Sequence, residues 1–185
     1  MTTLHTPDTA PEAAQPLLAK SQKAFGMIPN LHAVMAESPA LLDAYQRTHM
    51  LVVEGTDFSA IERTVVWQTI NVEHACHYCV PAHTGIAHMD IVPADMIEAL
   101  RNQTPLGDSK LEALRTFTLA VVRDRGQVSP AARQSFADAG YTDRAVLDVV
   151  LIVSQKVMSN YVNHLFDTPV DAAFQKFAWE ADAAA

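Results

Sequence analysis

"YTDRAVLDVVLIVSQKVMSNYVNHL", residues 141–165, is the stretch that decides the fold class. Its apolar side chains recur at steps of three and four residues, the spacing of one face of an α-helix. Thr142 precedes them as a candidate N-cap. Valine-rich runs also suit strands, but the length and periodicity of this segment favour a helix. The side chains predicted to form its buried stripe are Val146, Val149, Val150, Val153, Val157, Tyr161 and Leu165.

Helix signals recur along the rest of the chain, and no alternating strand pattern with hairpin punctuation is evident. Ser59 and Glu62 form a capping-box pattern before another apolar run. We therefore predict an all-α single domain over residues 16–185, preceded by a flexible polar leader over residues 1–15. The other predicted helices run from Ser38-Pro39 to about Glu54, from Pro93 to Arg101, from Asp108 to the RDRGQ segment, from Pro130 to Asp138, and from Asp171 to Trp179.

Composition narrows the classes of function. The 185 residues carry a formal net charge of −8, and the 13 Lys and Arg residues are scattered. Nucleic acids and anionic membranes need clustered basic residues, so neither is an expected partner. The N-terminal residues lack the charge and apolar core of a secretion signal, and no uninterrupted apolar run approaches the roughly 20 residues of a membrane span. A cytoplasmic location is expected.

"CHYCVPAH", residues 76–83, holds both cysteines of the chain. Helical steps of three and four residues would bring Glu73, Cys76, Cys79 and His83 to one broad face. Pro81 is tolerated only in the first turn of a helix, so a new helix is predicted to start near residues 77–80. Free N–H groups at a helix start favour a thiolate, and His83 lies one turn further on as a proton carrier.

Other readings of the segment stay open. In a reducing compartment a C-x-x-C pair is more often catalytic or metal-binding than structural, although buried cysteines can be inert. A zinc site would use Cys76, Cys79 and His83, with His74, His77 or Glu73 as the fourth ligand, but no second cysteine pair is present. A redox-sensing module is a further alternative. In the catalytic reading, His77 tunes the thiolates.

"CHYCVPAHTG" after a long helix resembles the alkylhydroperoxidase D-like group of the carboxymuconolactone decarboxylase superfamily. The segments "FGMIPNLHAVMAESPALLDAY" and "DVVLIVSQKVMSNYVNHL" resemble the leader and closing helices of that group. The resemblance implies an all-helical subunit that assembles as a homo-oligomer, a trimer or hexamer. It also implies hydroperoxide reduction with no bound cofactor or metal, supported by an external dithiol reductant, for example on a lipoyl-type electron-donor protein.

The same resemblance implies roles for individual residues. Cys79 would be oxidised by the peroxide, Cys76 would resolve it, and His83 would belong to the proton relay. The relay glutamate of the group lies twelve residues before the first cysteine, where this chain has Thr64. Of the nearby carboxylates, Glu73 is preferred to Glu62 as its replacement. A disulfide reductase or a lactone-handling enzyme is the alternative activity, although lactone decarboxylases of the superfamily generally lack the cysteine pair.

Overall fold

The structure is a computed structural model that describes residues 2–181. Within these residues the chain forms a single domain of nine α-helices with no β-strand, which confirms the all-α prediction. The helices are α1 (Gln15–Phe25), α2 (Asn30–Met35), α3 (Pro39–Gly55), α4 (Ala60–Glu73), α5 (Cys79–Met89), α6 (Ala94–Arg101), α7 (Ser109–Arg123), α8 (Pro130–Asp138) and α9 (Asp143–Phe166).

Capping residues explain where several helices begin. At the start of α4, Ser59 Oγ accepts a hydrogen bond from the Glu62 N–H at 3.2 Å, and the Glu62 carboxylate accepts the Ser59 N–H at 2.9 Å. Asp108 and Thr142 cap α7 and α9 through their side-chain oxygens. Each cap satisfies N–H groups that have no partner within the helix. These three starts are the predicted ones.

The larger apolar core lies between α4, α7, α8 and α9. Val65, Val66 and Ile70 of α4 are fully buried against α7 and α9. Three aromatic rings stack beside them: the Phe136 ring centroid lies 4.1 Å from that of Phe117 and 4.5 Å from that of Tyr141. Burying a large apolar side chain contributes about 1.5–3 kcal/mol, so this cluster is a main source of stability.

The buried face of α9 differs from the predicted stripe. Val149 is buried as expected, but Val150, Tyr161 and Leu165 are 50%, 53% and 80% exposed. The inner side of the C-terminal half faces the cysteines and carries polar groups, which leaves apolar residues on the outside. The buried residues of α9 are Ala145, Val149, Ile152, Gln155, Lys156, Ser159, Asn160, Val162 and Asn163. Whether the exposed apolar side chains pack in a homo-oligomer stays a prediction.

Both ends of the described chain pack on the helices. Ala10 and Ala14 are buried, and the predicted division at residue 15 stays a prediction. At the other end, the predicted helix from Asp171 to Trp179 is wrong, because only a 3-10 turn forms over Gln175–Phe177. The reason is tertiary: the Asp171 carboxylate accepts hydrogen bonds from the Asn30 N–H at 2.9 Å and from the Tyr78 hydroxyl at 2.5 Å, which hold the segment in an irregular path.

The C-terminal segment also covers α5 at Gly85. A Cβ atom on Gly85 would lie 2.7 Å from the ring of Phe174, closer than real Cβ contacts allow. The glycine therefore permits the ring to pack directly on the helix.

By length and composition, α9 alone among the described helices is apolar enough to cross a membrane. Of its most apolar window, 44% is buried inside the fold. The predicted cytoplasmic location stays a prediction.

Candidate active site

The two cysteines lie at the junction of α4 and α5. Helix α4 ends at Glu73, and Ala75 then adopts a φ of 51°, in the left-handed region. This reversal is closed by the Cys76 N–H, which donates to the Asn71 carbonyl at 2.9 Å. Helix α5 begins at Cys79, within the predicted window, and Pro81 falls in its first turn. The proline costs little there because that N–H would lack a helical partner.

Hydrogen-bond donors surround both sulfur atoms. The Cys79 N–H donates to Cys76 Sγ at 3.3 Å, and Asn163 Nδ2 of α9 donates to Cys79 Sγ at 3.2 Å. The same amide lies 4.0 Å from Cys76 Sγ. Both cysteines are buried and free. Two elements far apart in sequence thus meet on the sulfur of Cys79.

The surroundings shift the pKa values of the two thiols in opposite directions. Burial raises the pKa of the Cys79 thiol, but the hydrogen bond with Cys76, the positive charge of Lys156 and the amides of Asn163 and Asn160 outweigh it, so the pKa is lowered below its ordinary value. The pKa of Cys76 is raised, first by its hydrogen bond with Cys79 and then by burial. Cys79 therefore holds the thiolate and Cys76 keeps its proton.

A lysine and a histidine stand beside the thiolate. Lys156 Nζ of α9 lies 2.9 Å from His83 Nε2 of α5. Burial, followed by the charges of Lys156 and His49, lowers the pKa of His83 well below its ordinary value. The His83 ring packs 5.1 Å from the Trp67 ring, measured between centroids. His83 is thus a neutral imidazole in contact with a buried ammonium group.

Buried amides hold the backbone of residues 76–80, the thiol turn. Gln68 Nε2 donates to the Val80 carbonyl at 3.2 Å, and Asn71 Nδ2 reaches the Cys79 carbonyl at 3.4 Å. Asn160 Nδ2 donates to Asn71 Oδ1 at 3.1 Å, which ties α9 to α4. Because each amide bridges two elements, the network fixes the sulfur positions relative to α9.

A cavity of about 520 Å³ opens beside the thiolate. Cys79, His83 and Lys156 form part of its wall, and most of the remainder is apolar. No Asp or Glu of residues 2–181 lines it, although acidic residues outnumber Lys and Arg in the chain by 21 to 13. Its larger apolar lining residues are Phe25, Met27, Leu31, Met50, Ile86, Met89 and Phe174.

The candidate relay carboxylates do not contact the thiols. Both carboxylate oxygens of Glu73 accept from Arg123, at 2.8 and 2.7 Å. Glu62 serves as the cap of α4, and Thr64 is buried. The helical spacing that linked Glu73 to the cysteines does not apply, because the chain reverses at Ala75. The structure therefore brings together Cys76, Cys79 and His83 and leaves the carboxylates apart.

The other candidate histidines contact groups other than the thiols. His74 Nδ1 lies 2.9 Å from Asn160 Oδ1. His77 Nε2 lies 3.2 Å from the Thr168 carbonyl, at the partly exposed end of the turn. Among the described residues, no three His, Cys, Asp or Glu side chains form a group that could hold a metal ion. The alternative zinc set of Cys76, Cys79 and His83 therefore does not form such a group.

Sequence reasoning missed the contribution of α9. Lys156, Asn160 and Asn163 are fully buried and supply the amides and the charge around Cys79. Their signal was available: polar residues recur at three- and four-residue steps within an otherwise apolar helix. A buried polar face on a long helix indicates a site rather than a surface.

No family model and no curated protein sequence matches the chain. Solved structures do match. One is an alkylhydroperoxidase AhpD core, an uncharacterized peroxidase-related protein from Ralstonia eutropha, with a TM-score of 0.82, 19% identity and coverage of 92% of both chains. A second, from a Silicibacter species, is an uncharacterized peroxidase-related protein with a TM-score of 0.79 and 21% identity, covering 94% of this chain and 91% of that one.

The debrominase Bmp8 is also similar, in a complex with 2,3,4-tribromopyrrole, with a TM-score of 0.77 and 17% identity over 95% of this chain and 94% of that one. At these identities the comparisons show the fold, which is that of AhpD-like proteins, as the sequence resemblance implied.

Proposed function

We propose that this chain, which has the alkylhydroperoxidase D-like fold, is a thiol-dependent peroxidase that reduces organic hydroperoxides. The observation that carries the proposal is the state of Cys79. Its sulfur accepts the amide of Asn163, its pKa is lowered, and it borders a cavity with room for a small organic molecule. The thiolate is the form of cysteine that attacks peroxides.

The proposed reaction has two steps. The Cys79 thiolate attacks the terminal oxygen of the hydroperoxide, so an S–O bond forms while the O–O bond breaks. The sulfur is oxidised to sulfenic acid, and the peroxide is reduced to an alkoxide that takes up a proton and leaves as an alcohol. Cys76 then attacks the sulfenic sulfur as its thiol proton passes to the departing hydroxyl group, which forms a disulfide and releases water.

An external dithiol would return the disulfide to the two thiols. Both sulfurs are buried, and the cavity beside Cys79 supplies the access. A narrow dithiol such as a lipoyl group on an electron-donor protein suits this access better than a thiol fixed on a globular surface. We also propose that the subunit works as a homo-oligomer.

Intact-mass measurement tests the chemistry. One equivalent of cumene hydroperoxide should remove two hydrogens from the reduced wild type. Cys79→Ser should show no change, and Cys76→Ser should gain one oxygen. Full peroxide turnover by Cys79→Ser would overturn the assignment of the nucleophile.

Reductive dehalogenation is a second candidate, favoured by the aromatic and methionine lining of the cavity and by the fold shared with a debrominase. An aryl bromide and two thiols would give the debrominated ring, hydrogen bromide and a disulfide. Bromide release from 2,3,4-tribromopyrrole with excess dithiothreitol measures it. Release that outpaces hydroperoxide reduction would replace the first candidate by the second.

A further inference from the structure

Lys156 is buried at the centre of the site and makes one specific contact. It has no exposed surface, and its Nζ lies 2.9 Å from His83 Nε2. An ammonium group has donors and no acceptor, so the ring nitrogen must accept. The proton of the neutral imidazole is therefore on Nδ1, and His83 holds Lys156 in place rather than supplying a proton from Nε2.

No carboxylate in the part of the chain that the structure describes forms an ion pair with this lysine. Lys156 is absent from the ion pairs formed by the described residues. None of the described acidic side chains belongs to the wall of the cavity that it borders. A buried charge without a partner is costly. A buried cation beside this cavity therefore needs an anion as its partner. The reaction supplies two: the Cys79 thiolate before the attack and the alkoxide after it.

We propose that Lys156 is the general acid of the reaction: it stabilises the alkoxide that leaves the peroxide and gives it a proton. The inference rests on the proposed peroxidase function. It assigns a proton source that neither Glu73 nor Glu62 provides. The carboxylate of Glu73 is bound by Arg123, and that of Glu62 caps α4. His83 is then a positioning residue that holds Nζ, and Lys156 is part of the cavity wall.

The protons and electrons balance over one cycle. The thiolate takes up the terminal OH group of the peroxide to become sulfenic acid, and Lys156 loses one proton to the alkoxide. Disulfide formation by Cys76 releases water and leaves the lysine neutral. Reduction by the external dithiol restores the Cys76 thiol and the Cys79 thiolate, and releases one proton that recharges Lys156.

The test compares leaving groups that differ in their need for a proton. Cumene hydroperoxide leaves an alkoxide, which needs an acid, whereas peroxybenzoic acid leaves a benzoate, which does not. The variants are Lys156→Met, which removes the charge at similar length, and Lys156→Arg, which keeps a charge but surrenders its proton poorly. Alkylation of Cys79 by iodoacetamide, in a Cys76→Ser background, measures the reactivity of the thiolate separately. The leaving group of this reaction, iodide, needs no proton.

Lys156→Met is expected to lose about 100-fold or more in rate with cumene hydroperoxide, the range of general acid catalysis, and at most about tenfold with peroxybenzoic acid. Lys156→Arg should keep its alkylation rate and still lose cumene hydroperoxide turnover. The ratio of the two peroxide rates within one variant does not depend on the folded fraction, so partial unfolding cannot imitate the result.

Equal losses with both peroxides and with iodoacetamide would overturn the inference and leave Lys156 as a counter-charge of the thiolate. Unchanged rates in Lys156→Met would overturn it as well. Failure of the proposed function has a different signature, because the wild type itself would then reduce neither peroxide.

Discussion

Each half of α9 buries one face, but the two buried faces serve different purposes. In the first half, Val149 and Ile152 join the apolar core against α4 and α7. In the second half, Lys156, Asn160 and Asn163 are equally buried, yet they bond to polar groups of the thiol turn and its surroundings. One continuous helix therefore holds the domain together at one end and sets the charge of a cysteine at the other.

The largest effect on stability is expected from the apolar half. Ile152→Ala removes a fully buried side chain and should cost about 2–5 kcal/mol of unfolding free energy, since it leaves a cavity in a packed core. Urea denaturation measures this loss, and iodoacetamide alkylation of the folded variant should stay near the wild-type rate. A large fall in the alkylation rate of the fully folded variant would mean that the two halves of α9 are coupled.

Asn163→Ala should have its main effect on the pKa of Cys79 and a smaller effect on stability. It removes the N–H donor to Cys79 Sγ, and hydrogen bonds to charged groups are worth about 1.5–3 kcal/mol, so the pKa of Cys79 should rise by about one to two units. Stability should change less, because Asn163 Oδ1 has no partner among the described residues. The pH profile of alkylation, recorded in a Cys76→Ser background, gives the shift, and an unmoved midpoint would contradict it.

A third prediction concerns the pH dependence of stability, which should differ between the two halves of α9. The pKa of Cys79 is lower in the folded chain than in the unfolded one, so its thiolate stabilises the fold above the unfolded pKa of about 8.5. That contribution disappears as the pH falls through the folded value, at about 1.4 kcal/mol per pKa unit.

The unfolding free energy of wild type relative to Cys79→Ser should therefore increase from about pH 5 to about pH 8. In the folded state Cys76, whose pKa is raised, stays protonated over that range. Ile152→Ala should show no such trend relative to wild type, and a flat difference for Cys79→Ser would refute the thiolate assignment.

The smallest effect is expected at Glu73, outside both halves. Glu73→Gln breaks a partly exposed pair with Arg123, which should cost at most about 1 kcal/mol. Hydroperoxide turnover should stay within about twofold of wild type, because this carboxylate is held away from the thiols. A loss comparable to that of Lys156→Met would restore Glu73 to the proton relay.

The same two halves show what the sequence could predict. The helix, its Thr142 cap and the buried Val149 followed from local rules, as did the start of α5 near Pro81. The face of the second half did not, because hydrophobic periodicity selects apolar side chains and so assigned Tyr161 and Leu165 to the interior. Side chains such as Lys156 are buried for the chemistry they provide, which periodicity does not measure.

The remaining errors arose where tertiary contacts overrode the pattern of residue spacing along the chain. Glu73 shares a helical face with the cysteines only if the helix continues, and the reversal at Ala75 ends it. The segment after Asp171 has a helical pattern, but its buried carboxylate is bound by Asn30 and Tyr78, residues remote in sequence.

The missing side chain at Gly85 gives the fold a route to change in evolution. Phe174 borders the cavity and rests where a Cβ on residue 85 would stand. A single-nucleotide change from a glycine to an alanine codon would displace that ring and reshape the space offered to a ligand. The cysteines, Lys156 and Asn163 would stay in place. A lineage could thus alter the range of molecules that it accepts while inheriting its chemistry intact.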